Sequence, residues 1–169
     1  KMLAEVDCDA IAVGDYFAKR GPVIIRALES GKHVIADKPI CTSLDDLSRI
    51  EKLAKENKRA VGCLLDLRES GALRTMRQLI HEGAIGEVQT VLVTAQHPLN
   101  LSIRPKWYFE EGKHGGTIND IAIHAIDLVP WMTGRTLAEV TAARAWNTRV
   151  PQHPKFQEAA QVYLRFDNN

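Results

Sequence analysis

Neither sign of charge is in excess: 22 Lys and Arg face 21 Asp and Glu, a formal net charge of +1 over 169 residues. That balance supplies no long-range field, so no nucleic-acid partner is expected. No apolar run approaches the ~20 residues a membrane-spanning helix needs, and no signal-peptide pattern opens the chain. No membrane association is expected either. Cysteine is scarce: Cys8, Cys41 and Cys63 are odd in number and lack metal-type spacing. They read as reduced thiols in a cytoplasm. Internal repeats and low-complexity tracts are missing. So is any G-x-G-x-x-G, the glycine-rich turn that cradles a dinucleotide pyrophosphate. With 45% hydrophobic and 25% charged residues, what remains has the composition of an ordinary soluble globular protein.

What is present centres on residues 114–127, HGGTINDIAIHAID. Gly115 and Gly116 give the backbone room for a tight approach, and Thr117 can cap a helix that follows. From Ile118 on, apolar residues run almost round the helix, the pattern of a buried one. Asp120, His124 and Asp127 interrupt that run at spacings of four and three, which puts them on one face. Buried carboxylates and an imidazole are costly unless partners satisfy them, so the stripe marks a candidate site. Two plainer readings stand beside it. Thr117 with Asp120 resembles a capping box, and His124 can be a core histidine bonded to backbone. A metal site built from His114, Asp120, His124 and Asp127 has suitable ligand chemistry but leaves Lys38, below, unexplained; no metal is expected.

The first part of the chain alternates strand and helix. Asp9–Gly14, His33–Ala36 and Ala60–Leu65 read as short buried strands. Pro22 is expected to start a helix that ends at Gly31. Ser43 is expected to cap a second, with Leu44, Leu47, Ile50, Leu53 and Ala54 on its inner stripe. This order implies a parallel sheet with right-handed crossovers, half of a doubly wound domain. Ligands of such sheets bind at the carboxyl ends of the strands. There the sequence places Asp15-Tyr16 and Asp37-Lys38-Pro39. A lysine at that end can meet a ligand oxygen or phosphate, or can simply pair with Asp37 as an exposed loop residue.

Gly31-Lys-His-Val-Ile-Ala-Asp-Lys-Pro39 resembles the Gly-Lys-His-Val-x-x-Glu-Lys-Pro signature of the Gfo/Idh/MocA oxidoreductase family. The stretch at 114–127 is similar to that family's second signature, Gly-Gly-Gly-x-x-x-Asp-x-Gly-x-His-x-x-Asp. The likeness extends from about Asp9 to Trp146. It implies a Rossmann nucleotide-binding domain followed by an α/β domain with a large open, mainly antiparallel sheet. Here that means the C-terminal half of the Rossmann sheet at residues 1–68, and the α/β substrate and oligomerisation domain at 69–169. A homo-oligomer through the second-domain sheet is expected from the edges and faces that sheet leaves exposed. The resemblance implies NAD or NADP as cofactor and a sugar-like or polyol substrate. It places catalytic roles on Lys38, Asp120 and His124, and cofactor contacts on Asp15, Tyr16, Asp37, Lys38, Pro39 and Arg68. Departures are specific. Asp15-Tyr16 stands for the family's Thr-Pro, Arg20 for its following His, Asp37 for Glu, His114 for the first Gly, and Ala122 for the Gly between Asp and His. A non-catalytic binding module and an NAD-using glycoside-cleaving offshoot remain as alternatives. Lacking the phosphate loop, these residues alone are expected to be a fragment that binds NAD or NADP poorly.

The remainder reads as a helix at Ala72–Glu82 ending at Gly83, and a Val- and Thr-rich strand at Glu87–Gln96. A loop follows over the pocket from His97 to Lys113, in which Trp107 either lines a substrate site or packs on the sheet. The central helix is expected to run to Thr133, kink at Pro130 and stop at Gly134. Ala138–Asn147 and Ala159–Phe166 close the pattern as strands.

Overall fold

The computed structural model describes residues 2–167; Lys1, Asn168 and Asn169, where the chain begins and stops, lie outside the described residues. It divides into two compact units. One comprises residues 1–64 and 101–115, the other 65–100 and 116–169.

In the first unit, the short helix α1 (Met2–Glu5) precedes strands β1 (Ala10–Val13), β2 (His33–Asp37) and β3 (Val61–Leu64). They pair in parallel in the order β1-β2-β3, with Ile11 beside Val34 and Val34 beside Val61. Helices α2 (Phe17–Glu29) and α3 (Leu44–Glu56) form the two crossovers. Because the chain steps across the sheet in one direction, connections of one hand place both helices on the same face. That face is dry: Ile11, Val13, Ile24, Leu28, Val34, Ala36 and Ile50 form one core. The other face is not, and Ile35 and Leu64 are exposed there. The strands therefore alternate in burial instead of being covered on both sides.

The start of α2 differs from expectation. The helix begins at Phe17, so Pro22 lies inside it. Two early N–H groups find other acceptors, Lys19 on the Tyr16 carbonyl and Ala18 on the Lys113 carbonyl at 3.1 Å. Pro22 then forfeits a single ladder bond. Gly31, at φ +72°, ends the helix as expected. In α3, Ser43 accepts from the Asp46 N–H at 3.3 Å, as its sequence implies. The inner stripe is narrower than expected, because Leu44 is 81% exposed and Leu47 42%. The cause is which side of α3 meets α2. A Cβ on Gly21 would lie 2.4 Å from the Asp46 carboxylate and 2.9 Å from its Cβ, so the helices approach through Asp46. At about 100° per residue, Ile50 and Leu53 lie within roughly 40° of Asp46, whereas Leu44 is about 160° away.

The second unit opens with a 3₁₀ turn at Asp66–Glu69 and α4 (Gly71–His81), which ends at Gly83, φ +77°. The expected strand at Glu87–Gln96 is not formed: residues 88–100 carry no assigned secondary structure, and Leu92 is 88% exposed. Val and Thr favour a pleated surface, but a strand needs a ladder partner. The second sheet, as described, pairs only β4 (Leu137–Trp146) with β5 (Ala159–Phe166), antiparallel. Ala160, Val162, Leu164 and Phe166 form the half-buried side of β5, as expected. The turn between them is tied by Glu158. Its carboxylate accepts from the backbone N–H groups of Thr148 and Arg149 at 3.0 and 2.7 Å. Burial alone would raise its pKa, but these bonds, the Thr148 hydroxyl and the Arg149 charge bring it below the ordinary value. The central helix, α5 (Ile123–Thr133), runs through Pro130 to Gly134 in the left-handed region.

The close approach at Gly21 generates a stability test. Gly21→Ala is expected to cost about 1–3 kcal/mol by overpacking. Leu44→Ser should stay within about 0.5 kcal/mol, as surface changes do. Thermal melts of both variants check this, and equal losses would contradict the packing described.

Candidate active site

The loops at the carboxyl ends of β1 and β2 meet around one side chain, Arg20, which is 3% exposed. Its Nε donates to the Asp15 carbonyl at 2.6 Å. Its Nη1 lies 3.1, 2.5 and 3.1 Å from the carbonyl oxygens of Asp37, Lys38 and Pro39. Nη2 donates to the Asp37 carboxylate at 3.0 Å. The other oxygen of that carboxylate accepts the Lys38 N–H at 2.9 Å. The Lys38–Pro39 peptide is cis. Asp15 accepts from the Tyr16 N–H at 2.9 Å and pairs with Lys19 at 2.8 Å. The Lys19 bond is the main reason its pKa lies below the usual value. Asp15, Tyr16, Asp37, Lys38 and Pro39 are thus brought to one place in the first unit.

Trp107 belongs to this unit too, on a short 3₁₀ turn at Lys106–Phe109. Its ring lies 6.0 Å from Tyr16 and 5.4 Å, edge-on, from Phe17. It therefore packs on the start of α2 instead of on a sheet. His114, also buried, lies 4.2 Å from the Tyr108 ring and 5.1 Å from Phe17.

Gly115, the last residue of the first unit, and Gly116, in the second, take φ of +80° and +87°, the freedom their side-chain-free backbone allows. The helix that follows starts irregularly, with a π turn at Ile118–Ala122 before α5. Such single turns are frequent at functional sites. Thr117 is already in helical geometry and its side chain makes no cap hydrogen bond, so the capping-box reading fails at Thr117. Asp120 sits in the π turn, 5% exposed. His124 is half-buried in the first turn of α5. The Asp127 carboxylate takes Arg68 in a two-pronged pair, Nε to Oδ2 at 2.7 Å and Nη2 to Oδ1. That bond is the leading reason the Arg68 pKa lies above its usual value. Arg68 and Arg77 both face the Trp131 ring, and Arg77 also donates to the Trp131 carbonyl at 2.9 Å. Arg68, expected to contact cofactor, is bonded into α5. Among the described residues no group of three or more His, Cys, Asp or Glu is placed to hold a metal ion.

Arg20, which the sequence reading treats only as standing for the family's His, is the buried charge on which these loops converge. A signal was present: Phe17, Arg20, Ile24 and Leu28 share the buried stripe of α2, and Arg20 alone among them is charged.

Residues at 1–64 match the model of an oxidoreductase family with an NAD-binding Rossmann fold, and residues 73–169 match the GFO/IDH/MocA C-terminal domain. The chain belongs to the GFO/IDH/MocA oxidoreductase family. Among the family's curated proteins it is 28% identical over 144 residues to a 1,5-anhydro-D-fructose reductase of Ensifer adhaerens, covering 84% of this chain and 43% of that protein. To an inositol 2-dehydrogenase of Rhizobium meliloti it is 27% identical over 142 residues, 84% of this chain and 42% of the relative. The chain thus spans less than half the length of these relatives. An oxidoreductase structure from Thermotoga maritima superposes with a TM-score of 0.91 at 28% identity, covering 99% of this chain and 51% of that one.

A nicotinamide dinucleotide fits part of what is present. The Asp15 and Asp37 carboxylates are 34% and 48% exposed. Each keeps acceptor lone pairs beyond its present bonds, suited to ribose hydroxyl or carboxamide donors. Nothing in the described residues supplies a glycine-rich pyrophosphate cradle.

The Arg68–Asp127 pair separates two roles for Arg68. Because Arg68 is 42% exposed, solvent screens the pair. A double-mutant cycle with Arg68→Met and Asp127→Asn is expected to give a coupling of about 1 kcal/mol in thermal or denaturant melts. Zero coupling together with weakened NAD(P) binding in Arg68→Met would return Arg68 to the cofactor.

Proposed function

We propose that the complete protein is an NAD(P)-dependent oxidoreductase acting on a secondary alcohol of a sugar or polyol. The observation that carries this is the Asp37-Lys38-Pro39 turn, held at the carboxyl end of a parallel strand in a chain of this family. The names of the two curated relatives support the substrate class.

In this reading the nicotinamide, when bound, supplies the hydride acceptor. His124 takes the hydroxyl proton as general base, work suited to an imidazole near neutral pH. Lys38 donates a hydrogen bond to the substrate oxygen and favours the negative charge developing there. Asp120, one turn before His124 and buried, orients substrate or supports the imidazole. Trp107 with Tyr16 supplies an aromatic wall for the first unit's ligands. In the reverse direction the same groups return the proton to a ketone.

We further propose residues 1–68 and 69–169 as its nucleotide and substrate domains, a cytoplasmic location, and self-association through the second sheet. Exposed Val140 and Tyr163 on β4 and β5 support the last of these. No helix of the described residues is long and apolar enough to cross a membrane.

Turnover tests the roles. His124→Ala should lower kcat by about 10²–10⁴-fold, the usual worth of a general base. Lys38→Ala should cost a similar order, and the double variant less than the product, if both serve one step. Asp120→Asn should lose rate with its melting temperature unchanged. Steady-state kinetics beside thermal melts, with a polyol the wild type oxidises, check all four. Near-normal turnover in His124→Ala would make His124 a packing residue.

A further inference from the structure

Arg20 does more than fill the core. At 3% exposure it cannot meet a substrate, yet all its recorded hydrogen bonds end on the two loops at the carboxyl ends of β1 and β2. Three consecutive carbonyls, of Asp37, Lys38 and Pro39, converge on its Nη1 within 3.1 Å. Lys38 is therefore pinned on both sides of its Cα. Its carbonyl accepts from Arg20 at 2.5 Å, and its N–H is held at 2.9 Å by Asp37, whose second oxygen Arg20 also holds. The guanidinium carbon also lies over the Phe17 ring, 4.6 Å from its centroid. We infer that Arg20 is a positioning residue: by gripping the Asp37–Pro39 turn it fixes the point from which the Lys38 ammonium reaches its ligand.

The chemistry of the side chain explains why arginine occupies this place. A planar guanidinium presents five N–H donors in a fixed fork, so one group serves both loops at once. A lysine ammonium carries the same charge as a point and cannot span the Asp15 carbonyl and the Asp37–Pro39 carbonyls together. Arg20→Lys therefore preserves charge and removes geometry. Arg20→Gln removes the charge as well and keeps a planar polar head.

The inference rests on the proposed role of Lys38, and the test keeps the two apart. The complete protein is assayed with NAD(P) and an inositol or aldose that the wild type oxidises. In parallel, Lys38 is followed as its ¹³C-dimethyl derivative by NMR, assigned with Lys38→Arg. Displacing a reacting group by about 1 Å can cost roughly 10²-fold. Arg20→Lys should lower kcat by about that order with KM little changed. It should have little further effect in a Lys38→Met background, and it should move the Lys38 methyl resonance. Folded Arg20→Lys with wild-type kcat and an unmoved resonance would overturn the inference. So would losses that multiply in the double variant, since these mark a general structural role. If Lys38→Met leaves turnover intact, the catalytic reading of Lys38 falls; the resonance then decides Arg20 alone, moved in favour and unmoved against. Should Arg20→Gln fail to fold, Arg20→Lys carries the test.

Discussion

A buried guanidinium is the constraint on which the first unit depends. Taking a charge out of water costs several kcal/mol unless bonded partners replace the solvent. Arg20 meets that demand with four backbone carbonyls and one carboxylate. Because Asp37 is 48% exposed, the attraction between the two charges is screened, and the carbonyls carry most of the compensation. The dependence is mutual. Without Arg20, carbonyls from two loops lose their donor together; without those loops in place, Arg20 is an unsatisfied buried charge. This coupling turns two short connections into one defined surface at the end of a parallel sheet, where ligands of such sheets bind.

The segment 101–115 extends the same logic. It belongs to the first unit because it brings Trp107 and His114 onto Phe17, and because the Lys113 carbonyl accepts the Ala18 N–H. The start of α2 is thus built from residues almost a hundred positions apart. The second unit uses a comparable device on its own helix. There Arg68 reaches Asp127, and two guanidiniums flank Trp131, so the 3₁₀ turn and α4 are tied to α5. An ion pair of this kind ranks below Arg20 in consequence, since half-exposed charges have water as an alternative partner.

What the sequence made legible was local. Short runs of Ile, Val and Ala bounded by Gly or Asp marked the three parallel strands. Ser43, Gly31, Gly83 and Gly134 marked helix ends, because capping and left-handed geometry are decided within a few residues. The two signatures were enough to name the family to which the chain belongs. What was not legible depends on partners distant in sequence. The true start of α2 needs the Lys113 carbonyl. The outward turn of Leu44 needs Gly21 and Asp46. The Val- and Thr-rich 87–96 stretch has strand propensity without a described ladder partner, and propensity alone does not make a strand. The π turn at 118–122 shifts the geometry of the Asp120 face, which counting at 3.6 residues per turn could not anticipate. The pairing of Arg68 with Asp127, 59 positions away, was likewise not legible.

The most direct test of the central claim is residue-resolved amide hydrogen exchange in wild type and Arg20→Gln. The Lys38 N–H is bonded to the Asp37 carboxylate, which Arg20 holds in place. The account predicts that this amide is protected in the wild type. In the variant it should exchange faster, while the amides of Val34 and Ile24, deep in the core, keep their protection. Unchanged exchange at Lys38, or an equal loss of protection across Lys38, Val34 and Ile24, would contradict the claim that Arg20 specifically secures the lysine turn.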